Sequence, residues 1–138
     1  MQLLNAKGVK YLVIGGYAVA AHGHPRNTKD IDIWFEMSES NAERLMAVLH
    51  DFGFGALDIT RTDFLTPDWT VQLGYPPNRI DLISSPDGVD FTDCYLTRTV
   101  IRIDGVEVNF IDLEHLKQNK RAAGRKQDLA DVEALSAD

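Results

Sequence analysis

Residues 15–33 read GGYAVAAHGHPRNTKDIDI and follow the apolar run YLVI at 11–14. This order of residues constrains the fold more than any other stretch of the chain. Four apolar residues closed by two glycines predict a buried strand ending in a tight turn. Residues 17–22 predict a short helix, stopped at Gly23 because Pro25 bars its continuation. KDIDIWF, at 29–35, alternates polar and apolar residues, the period of a half-buried strand. On that strand Asp30 and Asp32 share one face, roughly 6–7 Å apart at their Cα atoms from a ~3.3 Å rise per residue. Ile31, Ile33 and Phe35 take the other face, toward a core.

Two ionised carboxylates this close repel unless something positive lies between them. Carboxylate oxygens suit hard divalent cations, and Mg²⁺ also accepts water and phosphate oxygens as ligands. One or two such ions at an Asp pair can clamp the attacking and leaving oxygens of a phosphoryl displacement. Gly15 and Gly16 fit this chemistry, because glycine lets backbone approach a phosphate and a helix start offers free N–H groups. A third carboxylate is expected on a later strand. Asp81, in RIDLI, is the candidate, since Ile80 and Leu82 face the core and an Asp inside such a strand needs a reason. Asp104 belongs to a turn, and Asp112 and Glu114 to a helix start, so neither position competes for that role.

The rest of the chain supplies strands and helices around this unit. Residues 2–8 predict a short helix ending at Gly8. SESNAERLMAVLHDFGFG predicts a helix from a capping box of Ser40 and Glu43, with Ala42, Leu45, Met46, Leu49 and Phe52 inward and Gly53 as its stop. DWTVQLG and NRIDLIS predict two strands joined through YPPN. TVIRIDGVEVNF predicts a hairpin turning at Asp104-Gly105, with Ile101 and Ile103 opposite Val108 and Val106. Residues 113–135 predict helix, interrupted at Gly124. The expected fold is α+β, a mixed sheet with packed helices in a single domain over 1–138.

Composition narrows the function. A net charge of -7 argues against a general binder of duplex DNA. No apolar run approaches the ~18 residues of a membrane span, and the start lacks a signal-peptide pattern, so a cytoplasmic protein is expected. Cys94 is the only cysteine, which removes disulfides and multi-cysteine metal sites and predicts a core thiol. His22 and His24 predict helix-end or loop packing rather than a transition-metal pair. Trp34 and Trp69 predict core or interface groups.

At this point the chain resembles the DNA polymerase β-like nucleotidyltransferase superfamily. Its pattern of glycines after the first strand, Asp-x-Asp on the next and a later Asp maps onto Gly15-Gly16, Asp30-x-Asp32 and Asp81. Arg26 and Thr28, ahead of the Asp pair, and LKQNKRAAGRKQDLADVEAL near the end look like the small bacterial nucleotidyltransferases related to the AbiEii toxin family. The resemblance implies a nucleotidyltransferase fold and transfer of a nucleoside monophosphate from an NTP to a hydroxyl, releasing pyrophosphate. It implies that Gly15, Gly16 and the adjacent helix hold the β- and γ-phosphates. It implies that Asp30 and Asp32 bind two Mg²⁺ ions, and that Asp81 binds the catalytic ion or takes the acceptor proton.

Tyr17, next to the glycines, is expected to line the nucleotide pocket. Arg26 either contacts a phosphate or, the favoured reading, pairs with Asp30. Lys120 and Arg125 either bind the triphosphate or acceptor, or lie on a solvated helix face paired with Glu114, Asp128 or Asp131. No appended acceptor domain is visible, so a homodimer is expected to supply the missing wall of the cleft. The acceptor is left open among RNA, protein and small molecule. The leading role is a toxin-like member of a toxin–antitoxin or phage-defence pair, with a cognate antitoxin as partner. The alternatives are a lincosamide- or aminoglycoside-modifying transferase and a catalytically idle domain that binds nucleotide or a partner.

Overall fold

The computed structural model describes residues 1–25, 30–54, 57–74 and 79–137. Its sheet runs β3-β4-β2-β1-β6-β5, with β1 at Tyr11–Ile14, β2 at Asp30–Phe35, β3 at Thr70–Leu73, β4 at Arg79–Ile83, β5 at Thr99–Ile103 and β6 at Val106–Phe110. The helices are α1 (Gln2–Ala6), α2 (Gly15–Ala21), α3 (Glu39–Asp51), α4 (Phe91–Leu96), α5 (Leu113–Ala123) and α6 (Lys126–Ser136). A 3₁₀ turn at Asp63–Leu65 and α4 were not anticipated from the sequence. The mixed sheet bears out the α+β expectation. β2 is antiparallel to β1 but parallel to β4, and β1 is parallel to β6.

The two faces of the sheet differ as the alternation of β2 requires. Ile31, Ile33, Ile80 and Leu82 face Leu45, Val48 and Leu49 of α3 around a small apolar cavity. Asp30, Asp32 and Asp81 are on the opposite face. Trp34 also lies there, further along, where its ring meets Phe91 edge-on at 5.2 Å. Phe64 stacks edge-on against both Phe35 and Trp69, closing one end of the core.

Several local expectations hold. In the β5–β6 hairpin Ile101 pairs with Val108 and Ile103 with Val106. Asp104 and Gly105 take φ of 50° and 80°, the pair of positive values that a type I′ turn needs. Gly124 ends α5 in the left-handed conformation. Cys94 is fully buried, and burial first, then nearby Asp112, Asp90 and Asp93, pushes its thiol up to about 12. His22 packs at a helix end, its Nε2 2.8 Å from the carbonyl of Ile111.

Three local expectations change. The cap of α3 is Ser38, whose side chain accepts from the Asn41 N–H, not Ser40. Asn41 is fully buried, and its amide bonds both backbone groups of Lys10 and the carbonyl of Glu36; those tertiary bonds start the helix earlier. Phe52 is exposed rather than inward, because it is the C-cap and the chain turns away at Gly53 with φ 84°. α2 begins at Gly15 itself, with no separate turn between strand and helix. The YPPN connection falls outside the described residues.

Candidate active site

Gly15 is where β1 becomes α2, and two conditions demand glycine there. Its φ is 69°, a region costly for any residue with a Cβ. A Cβ at this position would also collide with Asp32 Oδ2 and lie 3.2 Å from Asp32 Cγ. The antiparallel register of Ile14 with Asp32 brings that carboxylate over the strand end.

The parallel pairing of β2 with β4 puts Asp32 directly beside Asp81, and Asp30 beside Arg79. Asp81 therefore stands on the strand beside the Asp pair, on the face away from Ile80 and Leu82 that its alternation predicted. Asp32 and Asp81 are register partners, close enough for the charge of one to act on the other. Burial first, then the charges of Asp81 and Asp30, raise the Asp32 carboxyl to about 6, against the opposing pull of Lys120. One acid of this pair is thus held ready to keep a proton near neutrality.

Arg79 is the residue that sequence reasoning passed over. Its Nη2 donates to Asp30 Oδ2, and its Nε lies 3.3 Å from Asp81 Oδ1. Arg79 thus pairs with Asp30, while the pairing expected of Arg26 falls outside the described residues. The signal was available: Arg79 and Asp81 are two apart on an alternating strand and must share a face. Arg26 and Thr28 lie outside the described residues.

A cleft of about 450 Å³ opens in front of Asp32. Gly15, Asp87, Lys120, Arg125 and Asp128 are among the groups lining it. Lys120 is buried, unlike the solvated lysine the helix pattern allowed, and its Nζ lies 3.2 Å from Asp128 Oδ1 and 3.1 Å from Asp131 Oδ2. Glu114 pairs elsewhere, with Lys117. Arg125 holds Asp128 through its Nε at 2.7 Å and caps α6 with it, yet its side chain is largely exposed at the cleft edge. Burial alone would raise the Asp128 carboxyl, but the Arg125 and Lys120 bonds outweigh that and hold it below the usual range.

Tyr17 is not brought to this cleft. It lines a separate groove with Phe52, Ile103 and Val106, because two helical steps from Gly15 rotate a side chain by about 200°. Gly16 is buried in the first turn of α2. Asp128 and Asp87, both at the cleft, were not singled out as site residues from the sequence; Asp128 was weighed only as a surface partner, since nothing local marks an α6 carboxylate as buried.

The donor set can be tested against Mg²⁺ on the structure itself. Among the described residues no three of His, Cys, Asp and Glu stand as a ready-made metal cage. Asp30 Oδ1 and Asp81 Oδ1 are nevertheless buried without a hydrogen-bond donor. Buried carboxylate oxygens without donors are what a hard cation satisfies, so the residues fit the ion by donor chemistry.

The family model for "Nucleotidyl transferase of unknown function (DUF2204)" matches residues 1–137. A Thermotoga maritima protein classed as a nucleotidyltransferase (TM1012) superposes over 96% of this chain and 85% of its own, with TM-score 0.62 and 17% identity. An antigenic nucleotidyltransferase-like protein of Paracoccidioides brasiliensis matches over 97% and 70%, with TM-score 0.57 and 19% identity. The lincomycin-bound lincosamide antibiotic adenylyltransferase LnuA matches over 99% and 91%, with TM-score 0.57 and 14% identity. At these identities the structures establish a shared fold. No curated protein sequence matches significantly. Among the described residues no helix is long and apolar enough to cross a membrane.

Proposed function

The chain belongs to this nucleotidyl transferase family, and from that premise we propose that it transfers a nucleoside monophosphate from an NTP to a hydroxyl acceptor in a Mg²⁺-dependent reaction. The observation that carries the reading is the register of Asp32 against Asp81 on parallel strands, with Asp32 lining the same cleft as Gly15, Lys120 and Arg125.

In this reading Asp30, Asp32 and Asp81 hold the Mg²⁺, which when bound neutralises charge on the transferring phosphoryl group. The triphosphate lies along the Gly15-Gly16 start of α2. Lys120 and Arg125 set positive charge beside it, Arg125 from the exposed edge while its Nε and Nη2 stay on Asp128. The acceptor oxygen bonds the α-phosphorus while the bond to the β-phosphate oxygen breaks, and pyrophosphate leaves with that electron pair. The hydroxyl proton passes to the oxygen of Asp81 that would not meet the ion. Burial of Asp32 and Asp81 strengthens each of these interactions by excluding water.

The test is incorporation of labelled NTPs into cellular RNA, protein extract or small hydroxyl compounds, lincosamides included. Wild-type protein yields product and pyrophosphate, and Asp81→Ala keeps NTP binding but loses transfer. Equal label with both proteins would leave only a nucleotide-binding domain. A toxin-like role with a cognate antitoxin is the biological setting we favour. It predicts growth arrest on expression, abolished by Asp32→Asn; resistance to a lincosamide or aminoglycoside without arrest would replace it with the antibiotic-modifying role.

A further inference from the structure

Arg79 occupies the space between two of the three carboxylates, and its own bonding is incomplete. Its Nη2 is satisfied by Asp30, but its Nε has no hydrogen-bond acceptor although Asp81 Oδ1 lies 3.3 Å away. That oxygen and Asp30 Oδ1 are buried and also lack donors. The guanidinium therefore balances the charge of the two acids without completing their coordination. Its side chain is 28% exposed, which leaves a path for it to swing outward. A divalent ion would give the two bare oxygens the partner that Arg79 does not.

We infer that Arg79 is a positioning residue that stands in for the metal, so that a divalent ion enters by exchange rather than by filling a vacant cage. The inference rests on the reading of Asp30, Asp32 and Asp81 as metal ligands. Without an ion, Arg79 keeps Asp30 and Asp81 from repelling one another and keeps β2 and β4 charged but assembled. When the ion arrives, the guanidinium releases both carboxylates. The apparent metal affinity is then reduced by the fraction of time that Arg79 is in place; a site closed nine-tenths of the time binds about tenfold more weakly than its open form.

The experiment is Mn²⁺ titration of the full chain, free Mn²⁺ being read by its electron paramagnetic resonance signal. Thermal melts are run alongside with and without the ion. Arg79→Gln is expected to melt lower than wild type without metal, to bind Mn²⁺ about tenfold tighter, and to gain more melting temperature on its addition. Arg79→Lys, which keeps the charge but loses the fork, is expected to fall between them. Equal or weaker Mn²⁺ binding by Arg79→Gln would overturn the exchange and make Arg79 a permanent support of the ligands. Absence of Mn²⁺ binding in both proteins, with NTP present, would instead overturn the metal reading itself. Should Arg79→Gln fail to fold, the wild-type Arg79 Nε–Hε resonance, assigned with Arg79→Lys, provides the readout. Mg²⁺ must shift it, and an unmoved resonance at metal saturation would overturn the exchange.

Discussion

Two clusters, each of one cation between two carboxylates, stand one on the sheet and one on the helices, and they are built differently. On the sheet, Arg79 serves Asp30 and Asp81 with a partly exposed guanidinium, leaving a buried oxygen of each acid without a donor. On the helices, Lys120 lies between Asp128 and Asp131, all three buried. Asp128 Oδ2 also takes the Arg125 Nε and backbone N–H, and Asp131 Oδ1 takes the Gln127 amide. Charges withdrawn from water are stable only when each lone pair finds a partner. Each cluster has one acid oxygen that meets its cation as an ion pair without hydrogen-bond geometry, Asp81 Oδ1 at 3.3 Å from Arg79 Nε and Asp131 Oδ2 at 3.1 Å from Lys120 Nζ. The difference is water: Lys120 is 5% exposed and holds α5 to α6, whereas Arg79 is 28% exposed and Asp30 Oδ1 beside it has no donor, which suits a place where a ligand's charge has to enter.

The comparison breaks first at Lys120. Lys120→Met leaves two buried carboxylates short of their shared cation, and unfolding in urea should show a loss of about 3–5 kcal/mol. The loss for Arg79→Gln should be clearly smaller, because that pair is partly solvated. Equal losses would mean that the sheet cluster is as structural as the helical one.

Gly15→Ala comes next. The positive φ and the Asp32 carboxylate both oppose a Cβ there, so a loss of about 2–3 kcal/mol is expected, together with loss of the joint stabilisation by Mg²⁺ and NTP. Gly53→Ala separates the two causes, since its φ is 84° but nothing lies within 4 Å of its Cβ. It should cost only about 1 kcal/mol. Equal costs would remove the steric reason for Gly15.

Asp32→Asn sharpens the electrostatic side. Folding raises the Asp32 carboxyl from 3.8 to about 6, so between those values the folded state binds more protons than the unfolded one. Stability from this group is present at low pH and is lost as pH rises through that window. Metal-free Asp32→Asn should therefore match wild type near pH 4 and exceed it by on the order of 1–2 kcal/mol at pH 7. A difference independent of pH would show that Asp32 is not the titrating group. The smallest effect belongs to Glu114→Gln, which loses only a surface pair with Lys117 at 3.4 Å. Below about 0.5 kcal/mol is expected, and a larger loss would tie this face of α5 to the core.

Short-range rules made much of the molecule legible in the residues alone. Period-two alternation puts Asp30 and Asp32 on one face, and Arg79 and Asp81 on another strand's face, whatever the sheet does with them. Positive φ at Asp104-Gly105 turns a hairpin, and glycine at 124 stops a helix, because those conformations are decided within a few residues. Tertiary structure decided which faces meet. The parallel register of β2 with β4 joins Arg79 to Asp30 across 49 positions, and no local pattern encodes that partner. Lys120 reads as a surface lysine on its own helix; α6 packing against α5 brings Asp128 and Asp131 over it and removes the water. Asn41 moved the start of α3 because its buried amide found the backbone of Lys10 and Glu36. Backbone preference and side-chain period act over one or two turns of chain, whereas burial and charge pairing depend on neighbours that only the folded sheet supplies.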